Sequence, residues 1–163
     1  MTTRVLVAGI GNIFLGDDGF GPEVMRRMPP HHDERVRAVD YGIRGMHLAY
    51  DLLDPWAALV LVDALPNRGA PGTLAVFRAD PDCAAADLDA HAMDPAAVFA
   101  GVRALGGAVP PTVVVGCQVA SVREGIGLSG PVAAAVEPAV AAVDGVVADL
   151  LAAGMRAPTG PEV

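Results

Sequence analysis

Three short strand-like runs, each with aspartate at or past its end, limit how this chain can fold more than any other feature. Such runs of β-branched and aliphatic residues predict buried strands of a parallel sheet. The carboxyl ends of parallel strands meet at one edge of the sheet, the carboxyl edge, where open α/β sheets bind ligands. Aspartates repeated at that edge therefore predict a shared polar site. The runs and their aspartates are residues 4–8 with Asp17 and Asp18, residues 35–39 with Asp40, and residues 58–62 with Asp63.

Helical patterns alternate with these strands. One helix is expected to begin near Asp17 or Asp18, where acidic residues suit the helix dipole, and to end before Pro29. Others are predicted at 45–53 and 95–105. The alternation predicts an α/β sandwich.

A long helix is predicted at the end of the chain, over 129–151. Ser129 is its expected N-cap, and Pro138 is expected to kink it. Apolar residues at helical spacing predict a buried stripe on this helix. The stripe consists of Val132, Val136, Val140, Val143, Val147 and Leu150.

Two more strands complete the prediction, at 72–77 and 112–115. The connection 64–71 is too short for a parallel crossover, so the strand at 72–77 is expected to be antiparallel and at an edge. We expect a single domain over residues 1–153 and a flexible tail over 154–163.

Composition excludes several functions. The net charge is -8 and all 11 basic residues are arginine, so there is no lysine for a phosphate loop or a Schiff base. An acidic chain without a basic cluster argues against nucleic acid and anionic membranes as partners. The uncharged stretch 104–122 is broken by glycine and proline, which predicts a turn and a buried strand instead of a membrane span. Two cysteines and no signal-peptide pattern indicate a reducing cytoplasm.

His91 is a candidate metal ligand beside the aspartates. An imidazole with two carboxylates suits a divalent transition metal and leaves positions open for water or substrate. A single histidine before a helix is more often structural, but the aspartate cluster favours the ligand hypothesis. Asp17 and Asp40, taken singly, are equally well explained as cap or turn residues. Asp63 precedes Ala64 and not a turn, which favours function.

Other catalytic chemistries fit the sequence poorly. Phe14 occupies the position of the third glycine in the dinucleotide-binding fingerprint. Neither Ser121 nor Ser129 lies in a nucleophile elbow. Cys117 follows a predicted strand, and a small buried residue is a better interpretation of it than a nucleophile.

Seven segments, taken in order, resemble the hydrogenase maturation endopeptidases. The resemblance runs from about residue 4 to residue 151, and the ordered set is strongly specific. The segments are residues 9–21, 40–46, 61–64, 71–73, 89–91, 125–129 and 136–139.

The resemblance implies a three-layer α/β sandwich. Its twisted five-stranded sheet would be mostly parallel, with one antiparallel strand and helices on both faces. It also implies an endopeptidase that removes the C-terminal extension of a [NiFe] hydrogenase large-subunit precursor after nickel insertion. Such an enzyme recognises the nickel already in the precursor, so nickel would arrive with the substrate and not as a permanent cofactor.

The metal-contacting positions of the family correspond here to Asp18, Asp63 and His91. The first of these is glutamate in some members, and an aspartate side chain is one methylene shorter. We expect Asp17 and Asp40 to orient these ligands. Asp18 or Asp63 could act as a general base towards water, or nickel could act as a Lewis acid, and the sequence leaves both routes open.

Two alternative functions are also compatible with the sequence. The first is a peptidase of the same fold that acts on another substrate. The second is a nickel carrier without hydrolytic activity, which would bind nickel tightly by itself. Carriers often contain histidine-rich tracts, and His31-His32 is the nearest feature here.

Overall fold

Five strands and four α-helices alternate in the part of the chain that our computed structural model describes, residues 3–79 and 94–155. Strands form where the apolar runs were found, and helices where the spacing is helical. A short 3-10 turn, Gly16–Gly19, precedes the first helix. The strands are β1 (Val5–Ile10), β2 (Val36–Gly42), β3 (Ala58–Leu65), β4 (Leu74–Ala79) and β5 (Thr112–Gln118). The helices are α1 (Phe20–Arg27), α2 (Gly45–Asp51), α3 (Pro95–Ala104) and α4 (Gly130–Met155).

The strands form one mixed sheet in the order β2-β1-β3-β5-β4. Strands β2, β1, β3 and β5 are parallel, so their carboxyl ends lie together at one edge. Strand β4 pairs antiparallel with β5 at the end of the sheet. The predicted fold class, including the antiparallel edge strand, is confirmed.

Side chains alternate between the two faces of the sheet and build two cores. On one face, Val60 and Val62 pack with α1 and α4, and on the other, Leu59 and Leu61 pack with α2 and α3. This period-2 alternation in fully apolar strands produces the three layers.

The C-terminal helix α4 is a core helix. By length and composition alone, Gly130–Gly154 could cross a membrane. Its predicted apolar stripe, however, packs against the sheet, and Leu150 is partly buried beside it. The buried members of the stripe are Val132, Val136, Val140, Val143 and Val147.

Several boundaries differ from the sequence prediction. Strand β3 continues through Asp63 to Leu65 because its pairing with β5 also continues. Helix α1 begins at Phe20, and the two acidic residues expected in its first turn occupy the preceding 3-10 turn. Helix α4 runs to Met155, and the rest of the predicted tail, 156–163, lies outside the described residues.

Tyr41 links β2 to α2. The side chain is fully buried, and its hydroxyl donates a hydrogen bond of 2.6 Å to Asp51 Oδ2. Burial and this hydrogen bond both raise the pKa of Tyr41 above its usual value, so the hydroxyl stays protonated as a donor.

Tyr41→Phe is expected to lower the free energy of unfolding by about 2 kcal/mol, because it removes one hydrogen bond to a carboxylate. Denaturant unfolding measures this change. Tyr50→Phe is the matched control, because Tyr50 is exposed on α2. Equal midpoints for Tyr41→Phe and the wild type would contradict the assigned role of this bond.

Candidate active site

A glycine-rich turn leads from β1 into α1 above the carboxyl edge. Gly11 has a φ of 142°, and a Cβ atom there would overlap the carbonyl oxygen of Asp18. A Cβ atom on Gly21 would overlap the carbonyl oxygens of Ile10 and Val62. Only glycine permits such close backbone approach. Helix α1 therefore begins directly over the ends of β1 and β3, which brings Asp18 towards β3.

Asp18 is buried and held by the turn itself. Its Oδ2 accepts a 2.7 Å hydrogen bond from the backbone N–H of Asn12. The side chain of Asn12 in turn accepts a hydrogen bond of 2.9 Å from the N–H of Phe14. Asn12 thus fixes both the turn and the carboxylate. Asn12 is not among the site residues predicted from the sequence, although asparagine commonly bonds to the backbone two residues ahead in turns.

Asp63 lies in β3, where it pairs with Gly116 of β5. Alternation along the strand places its side chain on the same face as Leu61 and Leu65. Burial, and next the charge of Asp18, raise the pKa of Asp63 well above its usual value. A backbone hydrogen bond from Ala64 opposes this shift only in part. Asp18 and Asp63 are thus both buried, and the charge of Asp18 acts on the carboxyl group of Asp63.

Asp94 is a third carboxylate near this pair. It caps the N-terminus of α3, where its Oδ1 accepts a 2.9 Å hydrogen bond from Ala96 N–H. Its charge is a further cause of the raised pKa of Asp63. The Asp-Pro dipeptide is a typical helix start and could have identified Asp94 from the sequence. His91 precedes it by three positions but lies outside the described residues, so its place at the site stays a prediction.

Asp17 faces away from this pair, although it is adjacent to Asp18 in sequence. It is fully buried, and its carboxylate accepts hydrogen bonds from the loop that joins β5 to α4. The donors are Ser129 N–H (2.7 Å), Ser129 Oγ (2.7 Å), Ala120 N–H (2.9 Å) and Ser121 N–H (3.1 Å). Burial alone would raise the pKa of Asp17, but these bonds together lower it below 3.8. Asp17 therefore binds both ends of this loop, and we call this set of hydrogen bonds the clamp. The hydroxyl of Ser129, the expected N-cap of α4, donates to it.

Asp40 lies at the carboxyl end of β2 with an exposed side chain. Its Oδ1 accepts a 2.9 Å hydrogen bond from Gly42 N–H, and its carbonyl oxygen accepts one of 2.6 Å from Arg44 Nη2. It also lines a groove of ≈ 310 Å³ beside Asn12. The carboxylate thus caps a turn at the rim of the site, and an orienting role towards metal ligands stays a prediction for both Asp17 and Asp40.

Cys117 is a buried residue of β5, as predicted. Burial, followed by the charge of Asp17, raises the pKa of its thiol to about 11. A thiol that stays protonated is a poor nucleophile, so hydrolysis by Cys117 is disfavoured.

Asp18 and Asp63 can perform two kinds of chemistry. Interacting buried carboxylates hold a proton more tightly than isolated ones, which suits general acid–base catalysis. Their oxygens also suit a divalent cation when a nitrogen ligand joins them. Among residues 3–79 and 94–155, no group of three or more histidine, cysteine, aspartate or glutamate side chains is placed to hold a metal ion. A three-ligand site would therefore need a residue outside this part, as the prediction with His91 does.

Comparison with known proteins identifies hydrogenase maturation proteases among the relatives of this chain. The sequence model of a family described as HycI, hydrogenase maturation protease, matches residues 22–145, a range that includes Asp63 and His91 and begins after Asp18. The hydrogenase 2 maturation protease of Escherichia coli is 30% identical over 159 residues, which cover 94% of each chain. The solved structure of the hydrogenase maturating endopeptidase HybD from E. coli is similar with a TM-score of 0.78 at 28% identity, covering 90% of this chain and 93% of that one.

Another relative matches over a shorter stretch. The coenzyme F420 hydrogenase subunit delta of Methanothermobacter thermautotrophicus is 36% identical over 80 residues, or 45% of this chain. The match spans about half of that relative's length, 51%. Similarity to the maturation protease of E. coli, in contrast, extends over nearly the whole of both proteins.

Proposed function

This chain belongs to the hydrogenase maturation protease family, and we propose that it is an endopeptidase that removes the C-terminal extension of a [NiFe] hydrogenase large-subunit precursor after nickel insertion. The observation that carries the proposal is the buried Asp63 at the carboxyl edge, whose pKa is raised by burial and next by the charge of the buried Asp18. Burying two like charges together is costly, so such a pair is characteristic of functional sites.

The proposed nickel-reading site consists of Asp18, Asp63 and His91. A cation bound between the two carboxylates would offset their repulsion. The effect of Asp94 on Asp63 supports the inclusion of His91, which is only three positions before Asp94 in the sequence. One nitrogen and two oxygen ligands suit nickel and leave coordination positions for the groups that hold it in the precursor. Nickel is then a recognised part of the substrate.

Hydrolysis can follow either of two routes at this site. In the first, Asp18 or Asp63 takes a proton from water as the water oxygen attacks the scissile carbonyl carbon, and then gives the proton to the leaving amine. In the second, the nickel of the substrate polarises that carbonyl or lowers the pKa of the water. In either route Asp63 has a role, as the base or as a ligand of the nickel in the substrate, and the extension leaves as a free peptide.

The proposed location is the cytoplasm, where nickel would have been inserted into the precursor before cleavage. The apolar stripe of α4 supports this proposal because it is buried against the sheet and not available to lipid. The proposed partner is the folded precursor, without nucleic acid and without membrane insertion.

A cleavage assay tests the proposed activity. The nickel-loaded precursor is incubated with the protein, and intact-mass spectrometry follows the precursor. The expected result is loss of one C-terminal peptide and a single shortened product. An unchanged precursor, in the presence of folded protein bound to it, would contradict the proposal and favour a nickel carrier.

A further inference from the structure

Exposed apolar side chains lie beside the proposed active site. Ile126 is 78% exposed, Phe14 is 58% exposed and Ile13 is 48% exposed. We call these three residues the apolar rim. Monomeric proteins rarely display clustered apolar side chains without a binding role. The apolar rim is therefore a candidate contact surface.

Two chain segments hold the apolar rim together. Leu15 and Gly125 form a parallel bridge, in which Gly125 N–H donates to Phe14 O at 2.8 Å and Gly16 N–H donates to Gly125 O at 2.9 Å. The turn that carries Asp18 and the loop that carries Ile126 are thus joined by backbone hydrogen bonds. A partner that contacts Ile126 is necessarily close to the active-site turn.

The loop that carries Ile126 has a fixed base and a projecting tip. Asp17 binds the backbone of Ala120 and Ser121 at one end of this loop and that of Ser129 at the other. The flanking glycines have φ angles of 148° and 110°, and a Cβ atom on either would meet no atom within 4 Å. The tip therefore stands in open space on a rigid base. An anchor fixed in advance loses little conformational entropy on binding.

Grooves adjoin the apolar rim on two sides. Ile13 and Ile126 line a groove of ≈ 430 Å³ between α1 and α4, together with the charged residues Glu23, Arg26 and Arg27. Ile13 and Phe14 line the groove of ≈ 310 Å³ beside Asn12. An apolar centre with charged residues at its border is the usual composition of a protein–protein interface.

We propose that the apolar rim docks an apolar surface of the folded large-subunit precursor next to its C-terminal extension, with Ile126 as the anchor. This inference rests on the proposed function. Continuity with the active site favours the precursor over a second copy of this chain. A second copy seated on Phe14 and Ile126 would cover the groove beside Asn12, whose backbone holds the Asp18 carboxylate. The precursor, in contrast, must reach that carboxylate to be cut.

Ile126→Thr tests the inference with little risk to folding, because the side chain contacts mainly solvent. We expect KM for the nickel-loaded precursor to rise roughly tenfold or more, with kcat within about twofold of the wild type, because the lost contact contributes equally to ground-state and transition-state binding. Calorimetric affinity for the precursor is expected to fall by the same factor. The matched control is Val76→Thr, since Val76 is 50% exposed on β4. It is expected to leave both values unchanged.

Each outcome of this test has a distinct meaning. An unchanged KM and affinity for Ile126→Thr, with active wild-type protein, would overturn the docking inference and leave the proposed function standing. A wild-type dimer that Ile126→Thr dissociates, seen by analytical ultracentrifugation, would also overturn it, because the apolar rim would then bind a second copy. If the wild type binds the precursor without cutting it and Ile126→Thr binds more weakly, the docking inference holds and the proposed peptidase activity fails.

Discussion

Asp63→Asn is expected to slow release of the C-terminal peptide by at least about 100-fold, because this carboxylate is either the base or a ligand of the nickel in the substrate. The same variant is expected to be as stable as the wild type or more stable. Burial and the charge of Asp18 raise the pKa of Asp63 in the folded state above its value in the unfolded chain. At neutral pH, the folded protein must therefore either hold an unfavourable buried charge on Asp63 or keep a proton that the unfolded chain releases. Both lower its stability, and a neutral amide at this position removes the effect.

Peptide release measured by mass spectrometry and thermal unfolding at two pH values test this prediction together. The gain in stability over the wild type should be present at neutral pH and disappear below the ordinary aspartate pKa of about 3.9, where Asp63 is protonated in both states. Asp54→Asn is the matched control, because Asp54 is exposed in the turn after α2. Normal processing by a folded Asp63→Asn protein would contradict the assignment of the site.

Asp17→Ala is expected to cost roughly 3–5 kcal/mol of unfolding free energy, because it removes all the hydrogen bonds that the loop after β5 makes to a buried carboxylate. The donors at Ala120, Ser121 and Ser129 would lose a charged acceptor together. Asp17→Asn should cost less, since an amide keeps one oxygen acceptor while its NH₂ group faces at least one N–H donor. Denaturant unfolding at neutral pH gives both values.

The pH dependence of this clamp has a definite sign. The hydrogen bonds lower the pKa of Asp17 below 3.8 in the folded state, so its contribution to stability is fully present above that value and is lost as the pH falls through the folded-state pKa. The difference between the wild type and Asp17→Ala should therefore shrink in acid. The control is Asp33→Asn, which removes the pair between Asp33 and Arg35 on the surface. It should change stability little. An Asp17→Ala protein as stable as the wild type would contradict the stabilising role assigned to these hydrogen bonds.

Local sequence patterns predicted the fold well because short apolar runs determine the buried strands and the spacing of apolar residues determines the helices. Apolar runs in β1, β3 and β5 have few alternatives to a buried strand. The valine stripe of α4 recurs at a spacing that only a helix satisfies. The end of β3 was misplaced because aspartate is a poor strand former. In the folded protein, pairing with β5 carries Asp63 and two more residues into the strand.

The site was only partly predictable, as the neighbouring aspartates illustrate. Asp17 and Asp18 share one sequence context, yet one binds a loop more than 100 positions away and the other binds Asn12 and influences Asp63. Long-range contacts decide between these roles, and no local pattern contains them. The charge of Asp18 acts on Asp63 because the carboxyl ends of parallel strands lie at the same edge of the sheet. The contribution of Asp94 to the raised pKa of Asp63 depends on where α3 begins relative to the sheet.

The measurement that tests the account most directly compares nickel-loaded and nickel-free forms of the same precursor. Each is incubated with the wild-type protein, and the rate of peptide release is followed by mass spectrometry. Recognition of nickel by Asp18, Asp63 and His91 predicts release from the loaded precursor only. Equal rates for the two forms would contradict a nickel-reading site.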